Sequence, residues 1–204
     1  MSVPSVDPVR TRILREATRL FAAEGYSAVP IQAVAAAAGV TRPTLVYHFG
    51  SKDGLRDAVL AQAMGHWQGE LPRLMAAAAK GGPRLEALLE AVFVFFRDEP
   101  ALARLVLREM LDRPEDMKAR LRAQLQPWTG LLVQAIRLGQ SGQLLRADAD
   151  PEAYVVLVIT ASIGIVAIGE HVGALVAPEP DPDAQVRELI RIARAALLAP
   201  KVPA

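Results

Sequence analysis

At 204 residues the chain can bury a sizeable core in one small and one medium helical domain. Its 52% hydrophobic content and mean hydropathy of +0.24 are high for a soluble monomer, so a second subunit or a membrane is expected to cover apolar surface. The absence of cysteine excludes disulfides, thiolate zinc sites and thiol catalysis, and a net charge of +1 does not support a simple polybasic nucleic-acid binder.

Charge is unevenly placed. Met1 to Arg56 holds seven Lys/Arg against four acids, a balance of +3, which leaves 16 bases against 18 acids, −2, in the rest. A basic end on a near-neutral body suits a protein that meets phosphate at one end. The N-terminal MSVPSVDPVRTR has no apolar run, so no signal peptide is expected and a cytoplasmic protein is the simplest reading.

Asp7 as N-cap and Pro8 at the first helical position predict a first helix, with Ile13, Leu14, Ala17, Leu20 and Phe21 on one stripe and Gly25 at its end. Arg12, Arg15 and Arg19 lie off that stripe and read as a solvated face. A short second helix from Ile31 carries Val34, Ala35 and Ala38. Gly39 breaks it, and Thr41 caps a third helix running to about Phe49. Two short helices around a glycine turn form a helix-turn-helix pattern, whose second helix can enter a DNA major groove.

Ser51 caps a fourth helix with Asp53 in its first turn. That helix is expected to become irregular around Gly65 and Gly69 and to kink or end at Pro72. After the loop Lys80–Pro83, Leu85, Leu88, Leu89, Val92, Phe93 and Phe96 describe an amphipathic fifth helix. A sixth starts at Pro100, with Leu102, Leu105, Val106 and Met110 inward, and stops at Arg113-Pro114. A seventh runs from about Glu115 to Leu138 with Leu121, Leu125, Trp128, Leu132 and Ile136 on one side and a kink expected at Pro127.

Asp150-Pro151-Glu152 opens an eighth helix whose run Ala153–Gly169 is apolar on nearly every face. Seventeen residues lie at the lower edge of a bilayer span, and the run lacks a flanking Lys/Arg cluster or Trp/Tyr pair. No membrane role is therefore expected. In a soluble protein such a helix packs one face on its own domain and the other on a second subunit. A ninth, amphipathic helix carries Val186, Leu189, Ile190, Ala193 and Leu197. The predicted fold is all-α with about nine helices: a three-helix helix-turn-helix domain over residues 1–50 and a helical bundle for ligand binding and dimerisation over 51–204.

Within the third helix, Leu45 and Phe49 lie four apart and turn inward with Val40. Arg42, Pro43, Val46 and Tyr47 then fall on the opposite side, flanked by Thr44 and His48. Arg42 can bond guanine bidentately, Thr44 and Val46 can meet a thymine methyl, and Tyr47, His48 and Lys52 can reach phosphate.

The string GVTRPTLVYHFGSKDGL from Gly39 to Leu55, preceded by Phe21, Glu24-Gly25-Tyr26 and Val34-Ala35, resembles the TetR family of bacterial transcriptional regulators. The motif resemblance covers about residues 9–56; the remainder is similar only in helix count and in its two apolar final helices. The resemblance implies a dimeric repressor on a palindromic double-stranded DNA operator, with helices at about 151–176 and 183–198 forming a four-helix dimer interface. A small-molecule effector in the C-terminal domain would shift the fourth helix and change the separation of the recognition helices. It also implies DNA contacts at Thr41, Arg42, Pro43, Thr44, Tyr47, His48 and Lys52, with Gln32 near a phosphate.

Two departures stand out. Val29-Pro30 occupies the place of a capping Ser/Thr before the second helix. An aromatic is usual where Val46 stands, so valine there either removes a phosphate contact or favours a methyl contact.

Trp67, Phe93, Phe96, Met110, Trp128 and His171 are candidate cavity residues for a largely apolar ligand, each also explicable as core packing. His66 and Glu70 lie four apart but lack further metal ligands, and neither a metal nor a cofactor is expected. An all-α enzyme acting on a hydrophobic small molecule is the competing class. It lacks a nucleophile–base pair or phosphate loop, and it leaves the basic recognition helix unexplained. Repressor and activator are not distinguished by these residues.

Overall fold

Side-chain caps set where the helices start. The computed structural model describes residues 7–80, 97 and 100–198 and, among them, eight helices. Asp7 Oδ1 accepts from the Val9 and Arg10 amides at 2.9 and 3.4 Å and opens α1 (Pro8–Glu24), which ends at Gly25 with φ 87°. α2 (Ile31–Ala37) follows Pro30, which sits at the cap position itself without a side-chain bond. Thr41 Oγ1 accepts from the Thr44 amide at 3.3 Å and opens α3 (Arg42–Phe49).

Ser51 Oγ accepts from the Gly54 amide at 3.0 Å at the start of α4 (Lys52–Lys80). A Cβ on Gly54 would lie 2.1 Å from the Phe49 carbonyl oxygen, so only glycine lets the first turn of α4 close on the end of α3. α4 and α3 are joined there with almost no slack.

α4 corrects one expectation. It neither becomes irregular at Gly65 and Gly69 nor ends at Pro72, but runs on to Lys80. Proline removes one amide from the ladder and clashes with the preceding turn at a cost of about 3 kcal/mol, and the helix continues through it. The expected fifth helix, Leu85–Phe96, lies outside the described residues.

The chain continues in α5 (Pro100–Asp112), α6 (Pro114–Ser141), α7 (Pro151–Gly173) and α8 (Pro182–Leu197). Asp150 and Asp181 cap the last two through the Ala153 and Asp183 amides, each at 2.9 Å. α6 passes its internal Pro127 as α4 passes Pro72.

The main core runs without a break from Ile13, Phe21, Val34 and Leu45 in the first three helices through Leu55, Val59 and Leu60 of α4. It continues to Leu105 and Val106 of α5 and Met117 of α6. Burial of such side chains at ~1.5–3 kcal/mol each ties the N-terminal helices to α5 and α6 rather than leaving them on a hinge. A second cluster of Ile136, Val155 and Leu197 joins α6, α7 and α8. Gly169 lets α8 come close, with Gln185 Nε2 donating to the Gly169 carbonyl at 3.1 Å.

α7 is long and apolar enough to cross a membrane by length and composition, yet only 28% of its most apolar window is buried. Ala153, Val156, Leu157, Thr160, Ile168 and Val172 form an exposed stripe along it, and Ile192 adds a half-exposed apolar side chain on α8.

Candidate nucleic-acid interface

α3 is held from behind by apolar contacts and from its ends by polar ones. Leu45 has no exposed surface and packs with Val34, Ala35 and Ala38 of the second-helix region, while Val40 and Phe49 are partly buried against the same core. Arg12 Nε donates to the Ala38 carbonyl at 2.6 Å, fixing the turn between α2 and α3 to α1. Arg12 is exposed, as its spacing predicts, but its guanidinium is engaged with that carbonyl, whereas the exposed Arg15 and Arg19 are both paired with Glu16. Arg10, a cation the motif does not single out, lies over the Phe49 ring at 5.3 Å.

With Leu45 inward, Thr41, Arg42, Pro43, Val46 and Tyr47 are exposed, Tyr47 at 85%, and Thr44 and His48 flank them half-buried. Arg42 makes no ion pair among the described residues, so its planar five-donor fork is available to a base edge or phosphate. The Thr41 and Thr44 hydroxyls are 2.8 Å apart and bond each other. Gln32 is exposed on α2.

Two of the expected phosphate contacts are engaged within the protein. His48 Nδ1 lies 3.4 Å from Asp7 Oδ2, leaving Nε2 as the nitrogen that can point outward. Lys52 Nζ sits 4.3 Å from the centre of the Tyr26 ring and 3.4 Å from the Ser27 carbonyl oxygen. Only one of its three donors is used there.

Behind this face lies a polar junction that the sequence pattern does not announce. Tyr26 donates its hydroxyl to Asp53 Oδ1 at 2.6 Å, and Arg113 stacks on the same ring at 4.6 Å. Burial, then the bond to Asp53, pushes the Tyr26 phenol up to about 12. Arg108 of α5 donates to the Ala22 and Ala23 carbonyls at 3.0 and 2.9 Å, capping the end of α1 from another part of the chain. Arg56 of α4 donates through Nε and Nη2 to Glu109 Oε2 and through Nη2 to Asp116 Oδ2 at 2.8 Å.

Arg56 and Glu109 are 5% and 3% exposed, which makes theirs a buried pair. Burial opposes the Arg56 charge, but the bonds to Glu109 and Asp116 outweigh it and raise its pKa. The Arg56 bond holds the Asp116 carboxyl below its ordinary range, against burial and with Arg120 assisting. Arg120 continues the chain to Asp57 at 2.6 Å.

Trp67's side chain and the residues Phe93 and Phe96 lie outside the described residues. Trp128 is half-buried on α6, and His171 is exposed in the last turn of α7. Met110 does not face inward: it is 39% exposed, and Glu109 takes the buried position beside Leu105 and Val106. A carboxylate enters the core because Arg56 meets it there, and hydrophobic periodicity cannot anticipate such a partner. Among the described residues no group of three or more His, Cys, Asp or Glu could hold a metal ion.

Comparison with known proteins agrees with this architecture. The profile described as bacterial regulatory proteins, tetR family, matches residues 13–59, and that of the tetracyclin repressor-like C-terminal domain matches residues 83–194. The chain is 26% identical over 153 residues to the HTH-type transcriptional repressor KstR2 of Rhodococcus jostii (strain RHA1), covering 70% of this chain and 71% of that protein. It is 31% identical over 100 residues to the HTH-type transcriptional activator FasR of Mycolicibacterium smegmatis, covering 49% and 46%. The ketosteroid transcriptional regulator KstR2 of Mycobacterium tuberculosis has a similar structure, with a TM-score of 0.73, 17% identity, and 98% and 100% of the two chains covered.

Proposed function

The chain belongs to the TetR family of bacterial regulatory proteins, and on that premise we propose that it works as a homodimer whose two α3 helices read a palindromic operator. It is a ligand-responsive DNA-binding transcriptional regulator. The observation that carries the reading is the face of α3: Leu45 fully buried behind Arg42, Pro43 and Tyr47, all exposed on a helix-turn-helix. Arg42 contacts a base edge. Thr41, Pro43 and Thr44 line the groove, and Gln32, Tyr47, His48 and Lys52 set the position on phosphates.

A second copy covers the exposed stripe on α7 and Ile192 on α8. A Cβ on Gly164, within that stripe, would meet nothing within 4 Å, which leaves room for a partner helix to approach closely. Self-complementary pairing of α7 and α8 gives a four-helix interface and the two-fold symmetry that an operator palindrome mirrors. Its work is binding rather than catalysis, carried out in the cytoplasm on chromosomal DNA, with no membrane.

The division of labour falls at about residue 50. Residues 1–50 read DNA, and 51–204 bind a small, largely apolar effector and dimerise. The effector moves α4, and the tight Phe49–Gly54 join passes that motion to α3. Repression relieved by the effector is favoured because the relative matched over more of its length is a repressor, and a related structure is that of a ketosteroid regulator. Trp67, Phe93, Phe96, Met110, Trp128 and His171 are the effector-site candidates, of which Met110 and His171 are exposed in the single chain. A gel shift on the DNA flanking the protein's own gene tests the reading. A retarded complex that Arg42→Ala weakens is expected, and no complex at any salt concentration would refute it.

A further inference from the structure

Val46 is the residue of the reading face whose role the motif leaves open. It lies one helical turn beyond Arg42 and is 37% exposed, beside exposed Pro43 and with Leu45 fully buried behind it. Valine has no polar atom, so it cannot replace the phosphate contact of an aromatic hydroxyl. A β-branched side chain in a helix is also restricted to essentially one χ1 rotamer. Its two methyls are therefore short, fixed and presented to whatever the helix is laid against.

Thr44 adds a methyl group to this surface, while its hydroxyl shares a hydrogen bond with Thr41 Oγ1 at 2.8 Å. Among the groups that the four standard bases display in the major groove, the apolar one is the thymine 5-methyl. Four residues span ~6 Å along the helix axis, against about 3.4 Å per base step.

We propose that Val46 reads a thymine methyl, and that each half-site holds this thymine within about two base-pair steps of the guanine bound by Arg42. The inference rests on the DNA-binding reading above and specifies the operator chemistry that the site selects.

The test uses the full-length chain and duplex DNA that it selects from a random pool, at one fixed salt concentration. Each thymine of the selected site is replaced in turn by deoxyuridine, which keeps the base pair and removes only the methyl. One position per half-site is expected to weaken the wild-type protein about fourfold, the worth of one methyl buried. At that position Val46→Ala should show no further loss. Alanine is the strongest helix former and the position is on the surface, so the variant should fold normally.

Equal losses for wild type and Val46→Ala at every thymine, or no loss anywhere, would overturn the inference while leaving the DNA-binding reading intact. Failure to select any sequence would overturn that reading and this inference with it.

Discussion

Removing Glu109 should destabilise the protein far more than removing Asp116, although both carboxylates bond the same guanidinium. Glu109 is 3% exposed and shares the interior with Arg56, whereas the Asp116 side chain is 41% exposed. Breaking a buried pair leaves an uncompensated charge and costs about 3–5 kcal/mol. Asp116 still bonds Arg56 after Glu109→Ala, so the lower end, about 3 kcal/mol, is expected. Asp116→Ala should cost about 0–1 kcal/mol, as for exposed pairs. For a chain of this size about 3 kcal/mol lowers Tm by roughly 6–12 °C. Removing both charges with Arg56→Met and Glu109→Leu should recover most of the loss, because apolar groups can replace a buried pair at little cost. Thermal and urea unfolding of Arg56→Met, Glu109→Leu and the double variant form the required cycle, with Glu109→Ala and Asp116→Ala measured alongside. Additive losses, or a Glu109→Ala cost below about 1 kcal/mol, would refute the view that this pair clamps α4 to α5.

Arg42→Ala should relax sequence preference at one position of each half-site by about 1–3 kcal/mol. Lys52→Ala should weaken all sequences alike and reduce the salt slope by about 1; competition binding at several salt concentrations separates them. Leu157 is 68% exposed on the α7 stripe, so Leu157→Asp should leave the fold intact yet give monomers with poor DNA affinity, read by light scattering and gel shift. Tyr26 and Tyr154 have phenols pushed up to about 12 by burial, above the ordinary 10.0. Their folded-state pKa is raised, so the stability they contribute is complete below pH 10 and is lost as pH rises toward 12. Tyr26→Phe and Tyr154→Phe should each flatten that alkaline loss in unfolding curves, and an unchanged loss in both would count against it.

Much of this fold is legible because it is written locally. Asp7, Thr41, Ser51 and Asp150 cap helices within three residues of themselves, and the inward placement of Leu45 follows from helical period alone. The exposed face of α3, with Arg42, Pro43, Val46 and Tyr47 outward, was legible for the same reason. What was not legible depends on partners distant in sequence. Arg12 reaches a carbonyl 26 residues away, Arg108 caps α1 from 85 and 86 residues away, and Glu109 meets Arg56 across 53. Each looks like an ordinary surface charge until the fold brings its partner in. Pro72 is the opposite case: a residue expected to kink or end the helix lies within α4, which runs on to Lys80. His48 and Lys52 lie between these cases. Their positions beside α3 follow from the motif, but their engagement with Asp7 and Tyr26 does not.

The most direct test is a footprint of the full-length protein on the DNA flanking its own gene, with the mass of the complex measured in parallel. A two-fold symmetric protected site is expected, bound by a dimer, with half-site centres about one helical turn or a multiple of it apart. Protection without symmetry, or one monomer bound with full affinity, would contradict a paired reading head built on α3 and held together by α7 and α8.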